Sequence, residues 1–359
     1  MFWRRQKQPR GALVSRDSFL ETVTRVWRVK DSEIKLVENG FEWLPGNHTV
    51  RVFVHEDARK LSDPPAVRIT VSTDYRRWVP VRDRQFVKLA GYSANMCCST
   101  YSWVYPPHDI ADEFFAGHST DLDLFASAYI TEATSRWLPT LFAHMALLQP
   151  INAEIQAGMG GFVFGDAEPA MARRPKVTNV NEILNALRDA IAPQGQKPSA
   201  WSDSGEFEDF VETYARSERC VGAVTDYGMI LETPFGSDSA GIMFRTDIQH
   251  PQLGQGLLIA TVIDAQQIPH DVFDEAATLN FLESRFWTDV PQLGCWHSHG
   301  ERHNLTHSVF IPNAMFAPNL IVHFAHWALD RVEWVLGKRF PKMPSLPMSD
   351  ILEKRLKES

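Results

Sequence analysis

Cysteine is scarce: the 359 residues hold four, two of them adjacent as Cys97-Cys98, and there is no C-x-x-C pair. Such spacings give no disulfide framework and point to a reducing compartment. Also missing is any uninterrupted apolar run near the ~18 residues that a membrane span needs. The basic start, Met1-Phe2-Trp3-Arg4-Arg5-Gln6-Lys7, leads into no apolar signal core. A cytoplasmic location and no membrane partner are therefore expected. The chain has no phosphate-binding loop of the G-x-x-x-x-G-K-[ST] kind and no G-x-S-x-G elbow. Gly254-Gln255-Gly256 lacks the third glycine of a dinucleotide fingerprint and precedes a strand pattern rather than a helix. Positive charge is in deficit too. The 36 Lys and Arg stand against 44 Asp and Glu, a formal net of −8, which argues against a dedicated nucleic-acid binder.

What is present suits a soluble globular chain of two domains. Hydrophobic residues make up 44% and charged residues 22% of 40.8 kDa, enough to bury substantial cores. The charge is unevenly spread: residues 1–100 hold 18 Lys and Arg against 11 Asp and Glu, a net of +7, leaving −15 for the rest. Such asymmetry can orient two halves against each other or steer a partner. Tryptophan is abundant, at eleven. Large aromatics fill cores and also dominate interfaces.

The chain contains one pattern twice. Phe210-Val211-Glu212-Thr213, Leu231-Glu232-Thr233-Pro234-Phe235-Gly236 and His323-Phe324-Ala325-His326-Trp327-Ala328-Leu329 follow one another in the second half. Phe19-Leu20-Glu21-Thr22, Phe41-Glu42-Trp43-Leu44-Pro45-Gly46 and Leu141-Phe142-Ala143-His144-Met145-Ala146-Leu147 echo them in the same order in the first. Ordered self-similarity of this kind marks a repeated unit.

Taken in chain order, residues 1–16 read as a flexible leader. A helix capped by Asp17 or Ser18 carries Phe19, Val23, Val26 and Trp27 at helical spacing. Gly40 and Pro45-Gly46-Asn47 read as turns. Residues 49–55 and 67–71 alternate with the period of half-buried strands. A helix over 82–90, a strand over 96–105, a further strand over 124–130 whose letters fit a helix equally, and a helix over 138–155 that must accommodate Pro150 complete the first unit, 17–157. Residues 158–206 read as a linker with one short amphipathic helix around 180–191. The second unit, 207–338, opens with a helix over 207–217. Strands over 228–232, 240–245 and 256–263 follow. Next come a helix from Asp271 to Phe281, strands over 292–297 and 306–311, and a closing helix over 319–336. Residues 339–359 form a Pro-rich tail with a short helix.

The expected architecture is α+β: two tandem α-β-β-β-α-β-β-α units, with antiparallel sheets packed against helices, forming a pseudo-dimer. That order resembles the type III secretion chaperone fold and the related YbjN-like proteins. Residues 305–316, Leu-Thr-His-Ser-Val-Phe-Ile-Pro-Asn-Ala-Met-Phe, resemble the end of the tandem chaperone-like (TY-Chap type) domains of actinobacterial proteins. The first copy departs from that run, with Leu124-Phe125-Ala126-Ser127-Ala128-Tyr129-Ile130 in its place. The resemblance implies a bacterial, non-enzymatic protein that holds a partner polypeptide, without cofactor, nucleic acid or small-molecule substrate. Walls for the polypeptide's pockets would come from Trp78 and Trp103 in the first unit and Trp287 and Trp296 in the second.

A chemical alternative rests on Cys295-Trp296-His297-Ser298-His299-Gly300, continuing to His303 and His307. Two histidines in H-x-H on a strand share one face, and zinc takes such ligands. The run resembles the JAMM/MPN+ metallohydrolases, whose motif His297, His299 and Ser308 match. Gly300 stands where that family has proline, and Ile311 where it has the aspartate that completes the zinc site. Two histidines leave a catalytic zinc short of its three protein ligands. The plainer expectation is therefore exposed imidazoles on a polar loop, replaceable by alanine at little cost in stability. His108-Asp109 is read as a loop after Pro106-Pro107. Tyr75-Arg76-Arg77-Trp78, with Arg82 and Arg84, interleaves aromatic and basic residues as single-strand binders do, but it also fits the turn at a sheet edge.

Overall fold

Two serines open the first helix by capping each other. The Ser15 N–H donates to Ser18 Oγ at 2.9 Å and the Ser18 N–H to Ser15 Oγ at 3.2 Å. This reciprocal box places the start of α1 (Arg16–Trp27) ahead of the expected Asp17 or Ser18 cap. The computed structural model describes residues 14–27, 34–44, 47–55, 66–80, 100–103, 119–157, 168–169, 200–264 with short breaks, helical positions between 272 and 283, 291–299 and 304–336. The expected helices at 82–90 and 180–191, the His108-Asp109 pair, the leader's first residues and the Pro-rich tail lie outside the described residues.

Six strands follow α1: β1 (Ile34–Val37), β2 (Gly40–Trp43), β3 (Val50–His55), β4 (Val67–Pro80), β5 (Thr100–Trp103) and β6 (Ser119–Ile130). Then come α2 (Leu138–Ala157) and the short β7 (Glu168–Pro169). The sheet order is β1-β2-β3-β4-β6-β5, antiparallel throughout, with β7 on the far end of β4. The second half supplies α3 (Glu206–Thr213) and then β8 (Arg216–Ser217), β9 (Cys220–Thr225), β10 (Gly228–Phe235), β11 (Asp238–Arg245), β12 (Gln249–His250) and β13 (Gly254–Ile263). Buried helical residues between 272 and 283 precede β14 (Cys295–His299), β15 (Asn304–Pro312), a 3-10 turn (Asn313–Met315) and α4 (Leu320–Val335). Its order is β14-β15-β13-β11-β10-β9-β8, again antiparallel. The core of each sheet thus has one plan: a four-strand meander, with the last strand beside the fourth and the penultimate strand outside it.

The fold is mixed α+β with antiparallel sheets, as expected. Each meander has four strands where three were expected. The Gly40 region is not a turn but the start of β2, because Gly40 pairs with Val37 across a two-residue loop. A Cβ at Gly40 would come within 1.8 Å of the Val52 carbonyl oxygen, so only glycine lets β2 lie this close to β3. Likewise β9 is a strand where none was expected, and Arg216–Ser217 is strand rather than the end of the helix expected over 207–217.

Alternation on the strands puts one face of each sheet against helices. Phe41, Val52, Val71 and Ala126 line that face in the first sheet, packing under α1 and α2 through Phe19 and Phe142. Met229, Ile242, Ile259 and Val309 do so in the second, under α3 and α4 through Phe210 and Phe324. Pro150 is accommodated inside α2. The residue before it, Gln149, ties that helix to β4, donating to the Val71 carbonyl at 3.2 Å and accepting from Thr73 Oγ1 at 3.0 Å.

The buried clusters of both halves are continuous. Trp201, within the stretch read as linker, is fully buried against Phe316 and Phe324. Trp137, just before α2, packs on His323, Phe324 and Trp327 of α4. The two sheets also touch edge to edge. The Gln292 N–H donates to the Ser127 carbonyl at 2.7 Å, and the Ser127 N–H to the Gln292 carbonyl at 3.3 Å.

Glu206 shows how one residue fixes the ends of two helices. It starts α3, and its carboxylate accepts the Asn319 N–H at 2.7 Å and the Ile321 N–H at 3.0 Å, capping α4. Asn319 adopts a left-handed φ of 69°, which asparagine tolerates better than most residues. Glu206→Ala is expected to cost about 2 kcal/mol, because two charge-assisted bonds to helix-end donors are lost together. Urea unfolding measures this, and Glu206→Gln should recover part of the loss.

Candidate functional site

The histidine run folds as a hairpin whose alternation separates its members. Trp296 stands opposite His307, and His297 opposite Thr306, so Trp296 and His307 point to the helix side while His297 and Ser308 point to the other. The His297 Nε2 lies 2.8 Å from Ser308 Oγ. Both are buried, at 3% and 5% exposure. The expectation of exposed imidazoles on a loop is thus corrected for His297 and His307: β14 and β15 are buried on both faces, so both rings are enclosed and a substitution there is a core substitution. His299 ends β14 with the strand parity of His297, while its side chain and the whole of His303 lie outside the described residues. Among the described residues no group of three or more His, Cys, Asp or Glu is placed to hold a metal ion.

On the helix side, a polar cluster sits inside the core. Trp296 Nε1 donates to Glu283 Oε1 at 2.7 Å. Arg331 from α4 donates to the same carboxylate through Nε at 3.0 Å and through Nη2 at 3.4 Å, and Nη2 also reaches the Pro291 carbonyl at 2.7 Å. Asn280 then behaves like a further strand for β14. Its Nδ2 donates to the Trp296 carbonyl at 2.9 Å and its Oδ1 accepts the Trp296 N–H at 2.8 Å. This closes the outward backbone of β14 at its centre. His307 packs edge-on against Trp296, with centroids 5.2 Å apart, as expected for a close cross-strand pair without its own ladder bonds. Burial, then Arg331 and His297, hold its imidazole well below the usual histidine range.

Of the four tryptophans assigned to pocket walls, Trp296 is fully buried, with its indole N–H committed to Glu283. It therefore braces the core instead of facing a partner. Trp78 and Trp103 lie on β4 and β5, their side chains outside the described set, and Trp287 lies outside the described residues altogether. Tyr75, from the mixed aromatic and basic patch, is a core residue at 2% exposure.

The apolar surface that is open lies elsewhere, on the outermost strands. The exposed large hydrophobic side chains among the described residues are Leu36 on β1, Tyr214 after α3, and Val221, Val224, Tyr227 and Ile230 on or between β9 and β10. Strand β1 and strand β9 occupy the same place in the shared sheet order, the edge farthest from the Ser127–Gln292 seam. Past its short pairing with β8 at Cys220 and Val221, β9 has β10 on one side and no strand on the other among the described residues. Val221 is 64% exposed and Ile230 40%. Sequence reading looked for tryptophan and missed this edge. The signal it could have used is Cys220-Val221-Gly222-Ala223-Val224-Thr225, a β-branched run followed by Asp226-Tyr227-Gly228 as a hairpin turn.

Neither the protein-family models nor the curated proteins nor the solved structures contain a match to this chain.

Proposed function

We propose that this chain is a non-enzymatic, chaperone-like binding protein that holds an extended polypeptide segment. The observation that carries the reading is the edge of β9 beyond β8, open among the described residues, with Val221, Val224 and, beside it on β10, Ile230 exposed. Exposed β-branched side chains on an unpaired strand edge are a liability that proteins blunt with charge or cover, and here no charged residue interrupts β9. An extended polypeptide can add to that edge through backbone hydrogen bonds while alternate side chains rest on Val221 and Ile230.

The chain on this reading is a pair of tandem units related as in a pseudo-dimer, of the type III secretion chaperone-like or YbjN-like kind. Support comes from the common strand order, and from the sequence echoes. Phe19 and Phe210 fall on opening helices, Glu42 and Glu232 on second strands, and Phe142 and Phe324 on closing helices. The units abut near β5 and β14, so binding belongs to the outer edges and not to one composite groove between the units.

The test uses the intact chain with a reduced, carboxymethylated polypeptide that cannot refold. Amide exchange at residues 222–225 should slow about tenfold, as ~1.4 kcal/mol of added protection requires. Val221→Lys with Val224→Lys should abolish that slowing, while leaving the unfolding midpoint within about 0.5 kcal/mol of the parent. Unchanged protection in the double variant, or protection confined to the seam, would refute the edge as the binding surface.

A further inference from the structure

Two arginines whose side chains are described, Arg51 and Arg68, stand on the outward face of the first sheet, and among the described residues only Arg51 is paired with carboxylates. Arg51 bonds both oxygens of Asp74, with Nη2 to Oδ2 at 2.9 Å, and has Glu42 at 3.7 Å and Asp123 at 4.0 Å. Burial acts to lower its pKa, but Asp74, Asp123 and Glu42 together raise it. Arg68 lies on the next strand, half-buried, and its Nε donates to Ser127 Oγ at 3.0 Å. Among the described residues no carboxylate pairs with it. Burial pushes its guanidinium below the ordinary arginine value, and only Tyr129 acts the other way.

The surroundings of Arg68 are laid out by register. His55 on β3 and Tyr129 on β6 are its direct cross-strand partners, so the three side chains form one row on that face. The His55 ring stacks on Phe53, centroids 6.2 Å apart. A guanidinium carries five N–H donors in a fork that matches a carboxylate, and with Nε used on Ser127 the two terminal nitrogens remain. Partly desolvating such a cation without a counter-ion is unfavourable, and a ligand carrying the missing charge removes the penalty.

We propose that the His55–Arg68–Tyr129 row is a carboxylate-binding site. The carboxylate accepts both terminal N–H groups of Arg68 side by side, with His55 and Tyr129 flanking it. Because the main chain of Ser127 forms the Gln292 seam, the site lies where the two sheets meet. Its carboxylate comes either from a small free acid or from an acidic residue of a bound polypeptide. Only the second source rests on the binding-protein reading above.

The experiment is a titration of the intact chain, followed by the Arg68 Nε–H and His55 ring resonances, in a buffer free of carboxylate and phosphate. The probes are acetate, inorganic phosphate, and an acetylated, amidated five-residue peptide with one central aspartate. A saturable Arg68 shift with acetate is expected, with a rise in the His55 pKa, which burial and then the Arg68 charge hold down, because the carboxylate offsets the second of these. Arg68→Gln should lose the His55 response entirely, and Arg68→Lys should keep it at weaker affinity. Saturation by the peptide at about tenfold lower concentration than acetate, a gain of ~1.4 kcal/mol, assigns the carboxylate to a polypeptide. Equal concentrations assign it to a small acid and leave the site standing without the polypeptide. Phosphate saturating before acetate would overturn the carboxylate assignment. Absence of any saturable shift, or equal destabilisation by Arg68→Gln and Arg68→Lys with no anion response in the parent, would show Arg68 to be a structural partner of Ser127 alone.

Discussion

Glu283→Ala is expected to destabilise the protein by about 3–5 kcal/mol, the range for stranding one member of a buried ion pair. Glu283 and Arg331 are exposed by only 3% and 4%. Removal of the carboxylate takes both charge-assisted bonds to Glu283 from the buried Arg331 cation, and it deprives the Trp296 indole N–H of its acceptor. Both losses occur where water does not reach, so neither donor is resolvated in the folded state. Glu283→Gln keeps the shape and one acceptor oxygen but not the charge, and should fall between alanine and the parent. Glu283→Met with Arg331→Met removes both charges at similar volume and should recover the part of the loss that comes from the stranded Arg331 charge, since matched apolar replacements of buried pairs are often neutral, while the Trp296 N–H stays without its acceptor. Urea unfolding with near-ultraviolet dichroism as the probe reports all three. A Glu283→Ala midpoint within about 1 kcal/mol of the parent would show that the pair is solvated in solution.

The reach of the sequence can be followed residue by residue. Where burial is carried by short-range alternation, as at Val50-Arg51-Val52-Phe53-Val54, strand and buried face were both legible. The helix at Leu138–Ala157 was legible too, through its long apolar run and despite Pro150. Strand β1 and strand β9 were not, because edge strands bury little and their letters carry no alternation to read. Glu206 fell at the end of the stretch read as linker. Its partners are Asn319 and Ile321, more than a hundred residues away, and no local pattern encodes that. Arg68 reads in sequence as one polar position of an alternating strand, Val67-Arg68-Ile69-Thr70-Val71. Its lack of a carboxylate partner among the described residues emerges only when β3 and β6 are laid beside it. His297 and His307 illustrate the opposite failure. Ten residues apart and rich in company, they resemble a ligand cluster, yet a hairpin register sends them to opposite faces of one sheet.

His307 should make the protein measurably acid-sensitive well above the range where carboxylates titrate. In the folded state burial, then the Arg331 charge and then His297, hold its pKa well below the ordinary 6.5, with only the Leu293 carbonyl opposing them. In the unfolded chain the ring titrates near that ordinary value. Above about pH 6.5 neither state binds the proton, and the neutral ring's contribution to stability is fully present. As pH falls below that value the unfolded state binds a proton that the folded state refuses. Stability then drops by about 1.4 kcal/mol per pH unit until the folded pKa is reached. His144 and His323, both lowered chiefly by burial, act with the same sign. Unfolding free energies from urea titrations at pH 7.5 and 5.5 should therefore differ, and His307→Phe should remove about 1.4 kcal/mol of that difference. The phenylalanine variant forfeits the bond to Leu293 at every pH, so its absolute stability is not the test; the slope is. Carboxylates paired in the folded state also lose stability in acid, but through pKa values near 4 and below, which the choice of pH 5.5 keeps out of the comparison. An unchanged slope in His307→Phe would mean that the buried ring gains a proton in the folded protein, and with it that Arg331 is less confined to Glu283 than the distances require.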